Sequence, residues 1–599
     1  MASCRRRQDG CIEFSLWAPN LKSIEVISGD GRSLVALEKN HEGVFKGICQ
    51  DACPFQYFFL VDGERQLPDP CSLFLPDDVH GPSELPKSTF QWSDDAWEGV
   101  PKSELCIYEL HVGTFSDDGT YSGCQRRLDY LCELGITAIE FLPLAQCPGR
   151  WNWGYDAVGL FAPSSNYGTS DELKRLIDDC HGRGISVIHD VVYNHVGPEG
   201  NYLGQFGNYF SSKHGTPWGS AFDFDGPGKQ VPRSLVIENA LYWLEEFHFD
   251  GLRLDAVHYM FDDSGYTIQQ EICDRVSEYE KQAGRKIHLI GEANIYDHKL
   301  IVDEAGGRNT YGAIWADDLM HAVYSVAEAG SPVTPRKYNG GSDVNEALQN
   351  GYLYEGPVMK RVGESDREQT HGDQRKAREY LSSLIVALQT HDSIGNQPQG
   401  KRLHQLASVD FQMAAAPLFW LYPAIPMMFM GEEFAADSPF MFFADFLEKK
   451  LRRNVNRGRR KEFPDHDWSN SIQPSDERAF FDCKLKFPDG ENQVFSWYRN
   501  LIELRKTWQQ AGFLRPENLE VVCVIEKGIF GFNYQLDDKS AFVVAQLTGC
   551  ESPQLSCEIS LSSGVVLLDS RQKQAAGAVD GPLLLQPNHA IAGDGRLEI

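Results

Sequence analysis

The stretch Gly251-Leu252-Arg253-Leu254-Asp255-Ala256-Val257-His258 has the apolar content of a short buried strand with two charges set into it. Arg253 and Asp255 lie two residues apart, so strand alternation points both the same way, while Leu252, Leu254 and Ala256 take the other face. Two charges at the C-terminal end of a strand are costly to bury unless they pair with each other or with a ligand. An internal Arg–Asp salt bridge accounts for this stretch taken alone. The neighbouring segments point further.

Upstream and downstream, strand-like runs alternate with helical ones. The runs fall at 105–112, 138–144, 185–192, 251–256, 287–294, 313–318, 386–392 and 426–433. Between them lie helical patterns at 128–134, 267–282, around 376–384 and at 411–422, with 495–507 after the last. A further helix opens with a capping box of Thr169 and Glu172 and ends at Gly182 or Gly184. Another begins near Pro232 and carries Leu235, Ile237, Ala240, Leu241 and Leu244 toward a core. Eight strands with intervening helices predict a (β/α)₈ TIM barrel with insertions, a fold that builds function at the C-terminal ends of its strands.

The flanks read differently. From residue 11 to about 95, short alternating runs such as Ile12 to Pro19 and Gln56 to Val61 are punctuated by Gly-Asp, Asp-Gly and Pro-rich pieces, predicting a small β-sandwich. The acidic stretch from Trp92 to Pro101 reads as a linker. Beyond about residue 515, runs such as Leu519 to Ile525, Ile529 to Tyr534 and Ala541 to Ala545 predict a C-terminal antiparallel β domain. The expected organisation is multidomain: an N-terminal β-sandwich over 1–96, a barrel over 97–512 with a short insertion at 196–231, and a β domain over 513–599.

Composition limits the partners. A chain of 599 residues is too long for one core. Its formal charge of −29 argues against nucleic acid and anionic membrane, both of which need basic patches. The basic residues Arg5 to Arg7 meet Gln8-Asp9-Gly10 rather than an apolar run, so no signal peptide is expected. No apolar run of about 18 residues is present to span a bilayer. Fifteen scattered cysteines, with no Cys-x-x-Cys pair, read as reduced thiols of a cytoplasmic protein.

Polar residues collect where the apolar runs end: His111; Asp190 with Asn194 and His195; Asp255 with His258; Glu292; Asp317 with Asp318; and His391 with Asp392. Any one of them fits a buried, partnered side chain. A ring contributed by six strands does not, because a packed core would leave several without partners. Three carboxyls converging on a barrel mouth suit a retaining glycosidase, which needs an ionised nucleophile and a protonated acid about 5 Å apart. A site of Asp, Glu and His ligands is the metal alternative, but no His-Glu-x-x-His, EF-hand, phosphate-loop or dinucleotide spacing appears.

Asp190 to His195, Gly251 to Ala256, Gly291-Glu292 and His391-Asp392 resemble, in order and spacing, the four motifs of the α-amylase superfamily. The resemblance implies Asp255 as nucleophile, Glu292 as general acid/base and Asp392 as the carboxylate that helps distort the sugar. It implies substrate contacts from Arg253, His195, His258, Asp317, Asp318, His321, His391, Asn396 and Tyr155. More of the chain is similar to one family within it, the maltooligosyltrehalose trehalohydrolases: Tyr108 to Phe115, Gln146 to Asp156, Tyr193 to Asn201, Thr390 to Asn396 and Gly458 to Phe463, across about residues 14 to 465. That likeness implies hydrolysis of the α-1,4 bond next to the terminal trehalose unit of a maltooligosyl trehalose, with retention, and a maltooligosyltrehalose synthase as pathway partner. A glycogen or starch debranching or branching enzyme, sharing the same layout, is the alternative, and a catalytically dead glucan-binding scaffold is the reading from another class.

Two departures from the family pattern stand out. The sixth-strand motif reads Asp317-Asp318-Leu319-Met320-His321 where the family commonly has Asp-Asp-Phe-His-His, and Phe443-Ala444-Asp445-Phe446 lacks a following histidine. Trp151, Trp153 and Tyr155 lie in a Gly- and Pro-containing loop, where aromatic faces suit pyranose rings or simply pack loops; the resemblance favours Tyr155 as a platform. Many amylases hold calcium near the residue matching Asn194, but the insertion has no dense carboxylate loop, so no metal or cofactor is expected.

Overall fold

The computed structural model describes residues 4–50, 55–293, 296–302, 310–327, 334, 336–354, 380–549, 556–572 and 577–598. Eight parallel strands close a barrel in sequence order: Ile107–Leu110, Ala138–Phe141, Ser186–Val191, Gly251–Leu254, His288–Gly291, Ala313–Trp315, Leu384–Ala387 and Ile425–Phe429. The last pairs with the first, Met427 opposite Ile107. The predicted TIM barrel is thus present, with antiparallel sheets before and after it.

The fourth strand shows why the pattern could be read. Leu252 and Leu254 are buried on the outer face of the barrel wall, and Arg253 is equally buried on the other. Gly251 is required by packing: a Cβ there would lie 2.5 Å from His288 O on the fifth strand. Below it, Asp250 accepts Val187 N–H at 2.8 Å, His181 Nε2 at 3.0 Å and Trp97 Nε1 at 2.7 Å. Trp97 belongs to the stretch read as a linker, so that reading is corrected. Trp92 stacks on His248 with centroids 3.8 Å apart and Val100 N–H bonds Ser186 Oγ at 3.1 Å, sealing the base of the barrel.

The sixth and seventh sectors also differ from expectation. Strand six ends at Trp315, and Asp317 and Asp318 instead begin the helix Asp318–Val326, because adjacent acids suit a helix N-terminus better than a strand interior. Of the helix expected around 376–384, residues 376–379 lie outside the described residues; Leu381–Ser383 is a 3₁₀ turn and strand seven starts at Leu384. A helix at Gly341–Asn350 packs on Asp318–Val326. Its buried stripe is only Asp343, Val344, Ala347 and Leu348, too brief a pattern to read from sequence.

The N-terminal strands form one continuous eight-stranded antiparallel sheet whose Ile12, Phe14 and Leu16 alternate inward. It reaches the barrel through the insertion: Trp17 meets Tyr209 edge-on with centroids 5.6 Å apart, over Gly207, where a Cβ would come within 2.3 Å of the indole. The C-terminal six-stranded sheet is tied on by Tyr534, whose hydroxyl donates to Leu421 O at 2.8 Å. Among the described residues, no helix is long and apolar enough to cross a membrane.

Candidate active site

Asp255 follows the fourth strand directly. Its Oδ1 accepts Arg253 Nη1 at 2.9 Å and its Oδ2 accepts Asn194 Nδ2 at 2.9 Å, so donors from two strands fix both oxygens. The next residue turns sharply: Ala256 has φ 41°, a left-handed conformation that costs a non-glycine residue about 1 kcal/mol. That turn aims Ala256 N–H at Glu292 Oε2, 2.6 Å away. Arg253 Nη2 lies 3.7 Å from the same oxygen. One guanidinium therefore spans both carboxyls, with its Cζ 4.3 Å from the centroid of the Trp315 ring.

Electrostatics mark out Glu292. Burial pushes Glu292 up to about 7, the neighbouring Asp255 and Asp392 carboxylates push the same way, and Arg253 and the Ala256 amide oppose them. Glu292 is thus held as an acid near neutral pH, while Asp255 has the short contact to Arg253. Asp392, in the first turn of the helix His391–Gly395, is the most exposed of the three, with 53% of its side chain open. Asn396 Nδ2 donates to its Oδ1 at 3.3 Å.

The other expected residues divide. His195 and His258 line the site as neutral imidazoles: burial pulls each down to about 4, against the pull of Asp255. His258 Nδ1 is buried without a partner among the described residues. Asp317 pairs with Arg336 and with His321 Nε2 at 3.2 Å while remaining partly open. Tyr155 is half-buried, stacked on His391 with centroids 5.3 Å apart and its hydroxyl held by Asp190 at 2.7 Å.

Two of the expected substrate contacts are enclosed by the protein in this structure. Arg253 has no exposed surface, so it reaches a ligand only through the carboxyls it holds. Asp318 is sealed: Oδ1 accepts Arg336 Nη1 at 3.1 Å and Tyr338 OH at 2.6 Å, and Oδ2 accepts the N–H groups of Leu353 and Tyr354 at 2.6 and 3.0 Å. With every lone-pair direction filled it has nothing left for a sugar; it pins the chain at 336–354. Asp318→Ala is expected to lower stability by about 3 kcal/mol, because it removes a buried charge partner. Chemical denaturation and hydrogen exchange at 336–354 read this, with a smaller loss of kcat/KM than in Asp317→Ala.

Two further residues lie beside the expected ones. Trp218, at the tip of the insertion hairpin Phe210–Gly215/Ser220–Phe222, is 43% exposed, with its ring 5.0 Å from Tyr259 and 5.6 Å from His195. Arg459 bonds Asn396 Oδ1 and lies 4.6 Å over the Phe442 ring. The only sequence signal for them was an aromatic in a Gly-rich insertion and the Gly458 to Phe463 motif. Trp151 and Trp153 are packing residues, stacked on Phe480 and Phe440 respectively. Among the described residues, one group of metal-ligand type, His214, Asp225 and Asp263, encloses Lys213 Nζ, 3.5 Å from Asp225, whose ammonium takes the place of a cation.

A barrel with this carboxyl-lined mouth is the catalytic unit of an α-amylase-type glycoside hydrolase. Residues 86–217 match the family model described as the α-amylase catalytic domain. Malto-oligosyltrehalose trehalohydrolase from Saccharolobus solfataricus is 36% identical over 84% of this chain and 86% of its own. The enzyme of that name from Arthrobacter ramosus is also 36% identical, over 87% and 91%. A Salmonella typhimurium crystal structure assigned as an α-amylase superposes with TM-score 0.87 at 30% identity, covering 99% of both chains. The chain belongs to the malto-oligosyltrehalose trehalohydrolase family.

Proposed function

We propose that this enzyme hydrolyses the α-1,4-glucosidic bond adjoining the terminal trehalose unit of a maltooligosyl trehalose, releasing trehalose and a maltooligosaccharide. The observation that supports it is the pairing of Asp255 and Glu292 through Arg253 and the Ala256 amide, two carboxyls within one guanidinium's reach. Asp255 attacks the anomeric carbon while Glu292 protonates the departing trehalose oxygen, giving a glycosyl ester. Glu292, now a carboxylate, deprotonates a water that attacks the same carbon and releases Asp255, so configuration is retained. Asp392, with Asn396 behind it, bonds the distorted sugar, and His195, His258, His391, Asp317, His321 and Tyr155 position it.

The substrate calls for an upstream enzyme that turns the reducing end of a maltooligosaccharide into trehalose, the role we assign to a maltooligosyltrehalose synthase. The thirteen cysteines among the described residues are all free thiols, which suits the cytoplasmic location we assign. We place the barrel unit at 97–512, with the β units at 1–96 and 513–599 bracing it. The direct test is product analysis with maltotriosyl trehalose, maltopentaose and amylopectin. Trehalose and maltotriose should form far faster than any product from the other two; preferential cleavage of maltopentaose or of branch points would overturn the substrate assignment.

Trp218 offers an open aromatic face beside His195 and Tyr259. Trp218→Ala is expected to raise KM about tenfold while leaving kcat within a few-fold, because stacking is lost without touching the carboxyls. Steady-state kinetics on maltotriosyl trehalose would show this.

A further inference from the structure

His391 holds a hydrogen-bond position that determines its own protonation. Tyr155 has one phenolic proton, and it goes to Asp190 Oδ2 at 2.7 Å, an oxygen that Arg253 Nη1 also holds at 2.8 Å. Toward His391 Nε2, 3.0 Å away, the phenol oxygen is therefore an acceptor, so Nε2 carries a proton. On the other side of the ring, Nδ1 faces Glu109 Oε1, while Glu109 Oε2 accepts the His391 backbone N–H at 3.1 Å. An acceptor again faces the ring nitrogen, so Nδ1 carries a proton as well.

We propose that Glu109, on the first barrel strand, is a positioning residue of the reaction: by accepting from both Nδ1 and the backbone N–H of His391, it fixes that side chain as a doubly protonated imidazolium set against Tyr155 and Asp392. The inference rests on the reading of Asp255, Glu292 and Asp392 as the reacting groups. Glu109 is fully buried and reaches His391 across 282 residues of sequence, with no opening for substrate. It acts only through the histidine.

The surroundings agree. Burial alone would lower His391, but Asp392, with Oδ1 3.5 Å from Nε2, and Glu109 outweigh it and raise the imidazole to about 9. Arg253 on the fourth strand opposes them. Glu140 on the second strand adds no charge, since burial pushes its carboxyl well above the usual range. The remaining neighbours are the rings of Trp153 and Trp315, at 5.2 and 6.0 Å, and the neutral His111, which burial pulls down to about 4. Asp190, held by Arg253 and the Tyr155 hydroxyl, is pushed up to about 7 by burial. Around the reacting groups, the carboxyls of Asp255, Glu292 and Asp392 thus face two cations. Arg253 sits beside Asp255 and Glu292, and the His391 cation sits beside Asp392.

A glutamine at 109 has one acceptor oxygen for two N–H donors. Its amide nitrogen must face either the backbone N–H or Nδ1, and the second arrangement is relieved when Nδ1 gives up its proton. Glu109→Gln therefore yields a neutral Nε2–H histidine, and the Asp392 carboxyl loses the cation that lies 3.5 Å from its Oδ1. The acid limb of kcat then moves to higher pH, and kcat near pH 6 falls about tenfold or more.

The test uses ¹⁵N-histidine-labelled protein, with the His391 signals assigned by their loss in His391→Gln. In the wild type both ring nitrogens should read as protonated at pH 7.5, in Glu109→Gln only one, and in Glu109→Asp both. The Glu109→Asp enzyme should recover the wild-type pH profile at reduced kcat; a purely structural role would penalise it as much as Glu109→Gln and leave both profiles unshifted. A singly protonated His391 in the wild type at pH 7.5, or two protonated nitrogens with an unshifted profile in Glu109→Gln, would overturn the proposal. Thermal melts identify a misfolded variant, in which case Glu109→Asp and the wild-type spectrum decide. The NMR arm needs no substrate, so a failure of wild-type enzyme to release trehalose would sink the substrate assignment and leave this test standing.

Discussion

Asp255→Asn should abolish turnover of maltotriosyl trehalose, with kcat down about 10⁴-fold or more and the fold intact. The amide keeps the shape and can still accept from Arg253 Nη1, but it cannot form the glycosyl ester. The variant also leaves the buried Arg253 with one fewer carboxylate; Asp190, bonded at 2.9 and 2.8 Å, continues to hold it, so a melting curve close to the wild type's is expected. A stronger form of the test trims the side chain. Asp255→Gly opens the face from which the nucleophile attacks, and added azide should enter there and give a glycosyl azide of inverted configuration. Turnover by Asp255→Asn at a wild-type rate would remove Asp255 from the nucleophile's role.

The barrel and its carboxyls were legible because each depends on a local pattern. Leu252 and Leu254 alternate with Arg253, and the polar residue closing each apolar run marks the mouth. What was not legible depends on partners far away in the chain or on backbone geometry. Glu109 reads as one acid inside Tyr108-Glu109-Leu110-His111, and nothing in that run announces a histidine 282 residues on. Asp317 and Asp318 read as a pair, but at a helix start successive side chains diverge by roughly 100°. One stays open beside His321, and the other turns into four donors from 336–354. The left-handed Ala256, which aims an amide at Glu292, carries no residue signature, since glycine or asparagine would be the usual choice there.

Glu292→Gln is the second large effect, and it should separate activity from stability. The leaving oxygen is a sugar hydroxyl that departs poorly unless protonated, so kcat on maltotriosyl trehalose is expected to fall about 10³-fold. In the wild type, the acid must be protonated to donate; with Glu292 pushed up to about 7, kcat/KM should decline as the pH rises through 7, and Glu292→Gln should lose that limb. Azide acts only on a glycosyl ester already formed, so it should not rescue the variant on maltotriosyl trehalose; with an α-glycosyl donor whose leaving group needs no protonation, it should give a product of retained configuration, opposite to that from Asp255→Gly. Stability should move the other way. A carboxyl whose folded value lies above its unfolded one binds its proton more tightly when folded, so its contribution is favourable at low pH and is lost as the pH rises through the folded value. Above pH 7 the wild type must hold a charge that burial disfavours, at a cost of a few kcal/mol at most. Glutamine has no charge to bury and can still accept the Ala256 N–H. The variant should therefore melt several degrees above the wild type at pH 8.5, with the gap narrowing as the pH is lowered toward 5. Equal melting temperatures across that range would show that Glu292 is not held as an acid by its surroundings, and the alkaline limb would then belong to another group.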